Sequence, residues 1–178
     1  VTNNEGSIES QVRSNGNFSV VSYTGLGTAE TVGHGLDKTP SMVIVKSTES
    51  ISNWRVWHEA LGNPSTQTLF LNTQSGATTD SGFINVVFNT TFGVTGNGGV
   101  GALQNHIAYC WAETQGVTSF GSYSGSGARQ TINTGFRPSL VMIKSTGTGN
   151  WFMFDNARGA SKALYANEDL KEEETGAI

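Results

Sequence analysis

Pro40-Ser41-Met42-Val43-Ile44-Val45-Lys46-Ser47-Thr48 returns later in the chain as Pro138-Ser139-Leu140-Val141-Met142-Ile143-Lys144-Ser145-Thr146. Each stretch opens on a proline, which has no N–H to give to a ladder and is tolerated at a strand start. Each then runs through four apolar residues without a polar break, the pattern of a short strand buried on both faces. Working outward, Ser22-Tyr23-Thr24-Gly25-Leu26-Gly27 matches Ser122-Tyr123-Ser124-Gly125-Ser126-Gly127, and Asn53-Trp54 matches Asn150-Trp151. Leu69-Phe70-Leu71-Asn72 matches Leu164-Tyr165-Ala166-Asn167. Order and chemistry are kept while the offset drifts from 100 to 95 residues, as small loop deletions produce. The chain reads as an internal duplication of strand-forming segments.

Composition agrees with strands and turns. Gly, Ser, Thr and Asn make up 78 of 178 residues, and charged residues only 13%. A helical protein needs Glu, Lys and Arg on its exposed faces, so this composition argues against one. Disorder is disfavoured as well, because 36% hydrophobic residues fall in discrete runs. The net charge is −4 and the ten Lys and Arg are scattered, which leaves no footprint for nucleic acid. No apolar run approaches the length of a membrane span, so no membrane insertion is expected. Cys110 is the single cysteine, so neither an internal disulfide nor a cysteine-based zinc site is available. The chain opens on Val1 with no signal-peptide pattern, which reads as a fragment or a processed chain.

Turn signals every 8–12 residues favour an all-β antiparallel sandwich, jelly-roll-like, over a parallel sheet. Strands are expected at 18–23, 42–46, 54–58, 68–71, 83–89 and 107–112. The second copy repeats four of them near 119–123, 139–144, 151–155 and 163–166. Residues 1–17 read as an N-terminal linker or extension, 18–116 as a complete first repeat, and 117–178 as a truncated second one. After Asn167 too little sequence follows to supply the second copy's remaining strands. An incomplete sheet leaves an open edge, so the expectation is that the parent chain continues or another chain completes it. The acidic run Asn167 to Glu174 reads as a solvated tail.

Few residues carry chemistry by pattern. Gly96-Asn97-Gly98-Gly99-Val100-Gly101 has dinucleotide-loop spacing, but Ile107 to Trp111 reads as a strand where that chemistry requires a helix. It is read as a hairpin loop, and no cofactor is expected. His34, His58 and His106 are isolated. On one strand face His106 and Cys110 stand about 13 Å apart, too far to share a zinc, so no metal site is expected. His34, among glycines, is given a turn role, and Cys110 is read as a small buried hydrophobe. No G-x-S-x-G elbow occurs. Glu59, Asp80, Glu113 and Asp155 are acids of the right type for glycoside hydrolysis, but nothing in the sequence pairs them, and no catalytic residue is assigned.

The duplication offers its own test, because residues matched in both copies serve the shared scaffold while unmatched ones are free to be copy-specific. Arg55 stands against Phe152, His58 against Asp155 and Glu59 against Asn156. With Trp57, opposite Phe154, these four form the candidate ligand site: an aromatic face for a sugar ring and polar groups for its hydroxyls. The competing reading places Trp57 in the core between two sheets.

Tyr23-Thr24-Gly25, Gly33-His34-Gly35-Leu36, Thr39 through Lys46, Asn53-Trp54 and Tyr109-Cys110-Trp111-Ala112-Glu113 together resemble a repeated domain of bacteriophage virion proteins. That domain is associated chiefly with tail-fibre and related structural proteins of marine and cyanobacterial phages. The similarity runs from about Phe18 to Asn167, and includes Thr134-Gly135-Phe136-Arg137-Pro138 and Asn150-Trp151. The resemblance implies a lectin-like β-sandwich module with no established active site to carry over. It implies a non-enzymatic virion protein, in a tail fibre or surface appendage that contacts the host envelope through a surface glycan. Its implied partners are other virion proteins and copies of itself, with a homotrimer as the guess from fibre architecture. A capsid decoration or cement protein is the alternative, and a polysaccharide depolymerase a third. The lone cysteine fits assembly in a reducing host cytoplasm.

Overall fold

The computed structural model describes residues 1–174 except 64–65, 80–82 and 97–98. Fourteen strands are present among them: β1 (Thr2–Asn3), β2 (Ser10–Ser14), β3 (Phe18–Thr24), β4 (Glu30–Gly33), β5 (Met42–Ser47), β6 (Arg55–His58) and β7 (Leu69–Phe70). They continue as β8 (Ile84–Val87), β9 (Thr91–Val94), β10 (Asn105–Trp111), β11 (Leu140–Lys144), β12 (Trp151–Asp155), β13 (Lys162–Tyr165) and β14 (Glu173–Glu174). The fold is all-β, and every strand ladder is antiparallel.

One sheet has the order β1-β2-β3-β10-β5-β6-β7 and faces a three-stranded sheet, β4-β9-β8, in a sandwich-like arrangement. The central strand β10 shows how sequence dictates the layers. His106, Ala108 and Cys110 are buried, while Ile107, Tyr109 and Trp111 between them are half-buried on the other face. Register continues that division sideways: Ala108 pairs with Val21 and Val45, and Cys110 with Ser19 and Val43. These small inward side chains leave room for Phe83, Phe92, Ile84, Val32 and Val94 from the opposing sheet. Cys110 is fully buried, and burial pushes its thiol up to about 12, so it is a core residue.

The outer face of the large sheet has its own apolar cluster. Ile44, Val56 and Leu69 are buried there together with Trp151 from the second unit, flanked by Trp54, Tyr109 and Trp111. This explains why β5 is apolar on both faces: Val43 and Val45 face the sandwich core, and Ile44 faces the seam with the second unit. Trp151 also donates from Nε1 to the carbonyl of Phe70 at 2.9 Å. The backbone joins across the seam from Ala77 N–H to Thr146 and from Gly149 N–H to Gln74.

Local bonding recurs between the two units. Asn72 Oδ1 accepts from the Trp54 N–H at 2.8 Å, and Asn167 Oδ1 from the Trp151 N–H at 2.7 Å. Asn72 Nδ2 donates to Asn53, and Asn167 Nδ2 to Asn150. Lys46 Nζ holds the carbonyls of Ser47 and Ser50, and Lys144 Nζ those of Ser145 and Gly147. Both lysines lay their stems beside apolar strands and use their heads to close the following turn.

Of the two readings of residues 1–17, linker or extension, the structure has an extension: β1 and β2 lengthen the large sheet, and Val12 and Ser10 are buried in it. Two expectations need correction. Residues 119–123 do not form a strand, although β3, which contains the similar sequence Ser22-Tyr23-Thr24, pairs with β10 along its whole length. Among the described residues of the second unit nothing corresponds to β10, so this segment has no ladder to join. The acidic tail is not simply solvated: β14 pairs with β13, and Glu172 bonds Lys162 at 2.8 Å.

Candidate functional site

The four residues singled out from the sequence are divided by the alternation of β6. Trp57 lies opposite Val43 on the core face, is only 5% exposed, and donates from Nε1 to the carbonyl of Gly62 at 3.3 Å. It is sandwich core rather than a sugar platform, which is the competing reading of this residue. Arg55, two residues before it, shares its strand face, is half-buried, and places its guanidinium 6.0 Å from the Phe70 ring centroid. His58 points the other way, accepts from the Ala60 N–H at Nδ1 over 3.0 Å, and lies against Phe120. Glu59 is exposed and opens the short 3₁₀ turn Glu59–Leu61. A single site built from all four is therefore not formed.

Arg55 instead joins a polar notch that the sequence reading did not assemble. Its floor is His106, Val45 and Val100, and its rim is Ser50, Ser52, Asn53 and Gln104, around a cavity of about 20 Å³. His106 is the inward residue at the start of β10, opposite Tyr23 and Ser47. Its ring stacks on Tyr23 at 5.1 Å with an interplanar angle of 14°. The residue is 2% exposed, and neither ring nitrogen has a hydrogen-bond partner. Burial pushes its pKa down, and the nearby carbonyls of Gln104 and Gly99 and the charge of Glu49 oppose that only in part. The rim is preorganised: Gln104 Oε1 accepts from Ser47 Oγ at 2.9 Å and from Ser50 Oγ at 3.0 Å. The one sequence signal was a histidine at an inward position of the alternating run His106, Ala108, Cys110. Its neighbours come from β5, β6 and the loop before β10, so no spacing along the chain announces them.

The remaining histidines are occupied structurally. His34 Nδ1 accepts from the Leu36 N–H at 3.1 Å, and Nε2 meets the Phe88 carbonyl at 3.1 Å, which fixes a neutral ring with its proton on Nε2. That is the turn role expected of it. Asp155 binds the backbone and guanidinium of Arg158, and Asp80 lies outside the described residues, as do Asn97 and Gly98 of the glycine loop. Among the described residues, no three His, Cys, Asp or Glu gather as metal ligands.

All three histidines are held below their ordinary value near 6.5, with burial the largest cause in each. The unfolded chain therefore takes up protons first as the pH falls. Stability is fully present above about pH 6.5 and is lost as the pH falls from there through the folded-state values. The melting temperature is expected to drop between pH 7.5 and pH 5, above the range in which carboxylates titrate. A flat profile over that window would contradict neutral, buried rings.

Comparison with known proteins adds a family without a function. A family model described as a domain of unknown function (DUF7483) matches residues 1–177. No curated protein and no solved structure matches the chain.

Proposed function

We propose, for a chain that belongs to the DUF7483 family and takes no activity from that description, a non-enzymatic structural role in a virion appendage. Its partners in this reading are other virion proteins and further copies of itself, and its exposed surface meets the host envelope. The observation that carries the reading is the open edge of β11. In the four-stranded sheet β11-β12-β13-β14, β11 is an edge strand, whereas its counterpart β5 is covered by β10 along six residue pairs. Leu140 is 59% exposed on that strand, and Tyr123 and Ile132 are exposed in the segment before it. One inserted strand of β10 chemistry would pair with β11 on one side and residues 119–124 on the other, as β10 does with β5 and β3. Exposed apolar edges in a soluble module are assembly surfaces or aggregation hazards, and an appendage built from repeats turns them into joints. The recurring Asn–Trp and lysine bonds support reading the second unit as a repeat of the first.

The reading is tested in two ways. A peptide of residues 105–113 should slow hydrogen exchange at 140–144 and 119–124, and the same peptide with proline in place of Tyr109 should not. No protection from the native peptide would remove the observation on which the reading rests. Antiserum against the chain should then label purified phage particles of the source. Labelled tail tips or fibres agree with an appendage, labelled capsid faces with the cement alternative, and unlabelled particles sink the virion reading altogether.

A further inference from the structure

The notch around His106 has properties that an inert packing defect lacks. A neutral imidazole carries one N–H and one lone pair, and a buried one normally has both satisfied. His34 meets that rule in this chain and His106 does not. Carbonyls of Gln104 and Gly99 face the His106 ring, so acceptors are close by and the group its lone pair requires is a donor. The cavity of about 20 Å³ takes one water-sized group; its rim of Ser50, Ser52, Asn53 and Gln104 adjoins two cations, Arg55 in the lining and Lys46, whose Nζ bonds the Ser50 carbonyl and Ser52 Oγ.

Size and charge together select the ligand. A carboxylate or phosphate brings only acceptors and leaves the lone pair of His106 unmet, and the charges of Glu49 and Arg55, which both reach this ring, act on such a ligand in opposite directions. An ammonium group would donate, but it would enter beside the Arg55 guanidinium. A hydroxyl both donates and accepts, is water-sized, and carries no charge to desolvate. Its carbon skeleton would remain at the rim, where hydroxyl and amide side chains offer further partners.

We propose that this notch seats a single hydroxyl of a neutral polyol or saccharide, with His106 at the floor and Ser50, Ser52, Asn53 and Arg55 around the remainder of the ligand. The inference names a ligand class for the appendage reading without depending on β11, and its readout is separate from strand capture. In ¹⁵N-histidine-labelled chain, titration with D-glucose or glycerol should move the His106 ring nitrogens saturably while those of His34 stay fixed. Asn53→Ala, at the exposed rim, should raise the half-saturation concentration by roughly tenfold, as loss of one neutral hydrogen bond does. Parallel titrations use sodium chloride and sodium phosphate. Movement with either salt but not with the polyols would make this an anion site and overturn the proposal. The absence of movement with every probe would overturn it too, leaving a cavity that only water enters.

Discussion

Phe92→Ala is expected to lower the unfolding free energy by about 3–5 kcal/mol, a large share of the roughly 5–15 kcal/mol of a typical domain. Phe92 is 0% exposed at the centre of the small sheet, paired with Val32 on one side and Val87 on the other. Its ring meets Tyr23 edge-on at 6.0 Å, and so it is a main contact between the two layers. The site collapses poorly after truncation. Its ladder neighbours are held by backbone bonds, and the facing positions on β10 are Ala108 and Cys110, too small to reach into the space. Chemical denaturation should show a lower midpoint with an unchanged slope. A loss below about 1 kcal/mol would mean that the small sheet does not cap the large one as described.

How much of this was legible in sequence depends on where the information resides. The strands β5 and β11 could be read directly, because four apolar residues in a row after a proline leave few alternatives. β2, β4 and β9 could not. Their buried positions include Ser10, Gly33 and Thr91, whose burial comes from backbone bonding and close approach rather than from hydrophobicity. Ser10 Oγ, for instance, donates to the Gly33 carbonyl, a contact spanning two sheets. At Gly33 a Cβ would fall within 2.2 Å of the Asn3 side chain, so glycine there admits the neighbouring strand. Residues 119–123 failed for the opposite reason: their pattern suits a strand, but a strand is a property of a pair. Period-two alternation likewise showed that Arg55 and Trp57 share a face without saying which face is the core. The notch stayed hidden because its rim residues are ordinary loop polar groups until β5, β6 and β10 bring them around His106.

Trp151→Ala should separate the two units while leaving the first sandwich folded. Trp151 is 4% exposed, although it belongs to a sheet whose other positions are largely half-buried or exposed. Its burial comes from the outer face of the large sheet, where it packs with Ile44, Val56 and Leu69 and bonds the Phe70 carbonyl. Truncation removes the largest side chain at the seam and leaves the Phe70 carbonyl with only the longer bond from the Thr73 N–H at 3.3 Å. A buried Trp→Ala change costs about 3–5 kcal/mol. Here the loss falls on docking of the second unit, because the sandwich core of the first contains none of its residues. Hydrogen exchange should therefore speed up across β11 to β13 while β3 and β10 keep their protection, the signature of sub-global opening. The counterpart change Trp54→Ala gives the contrast. Trp54 is half-buried and stacks on Tyr109 at 6.2 Å within the first unit, so its loss should weaken the outer face without selectively releasing β11 to β13. Equal loss of protection in both units of the Trp151 variant would show one cooperative block. The seam would then be part of a single core, and the second unit could not act as a separate joint for a strand from a partner.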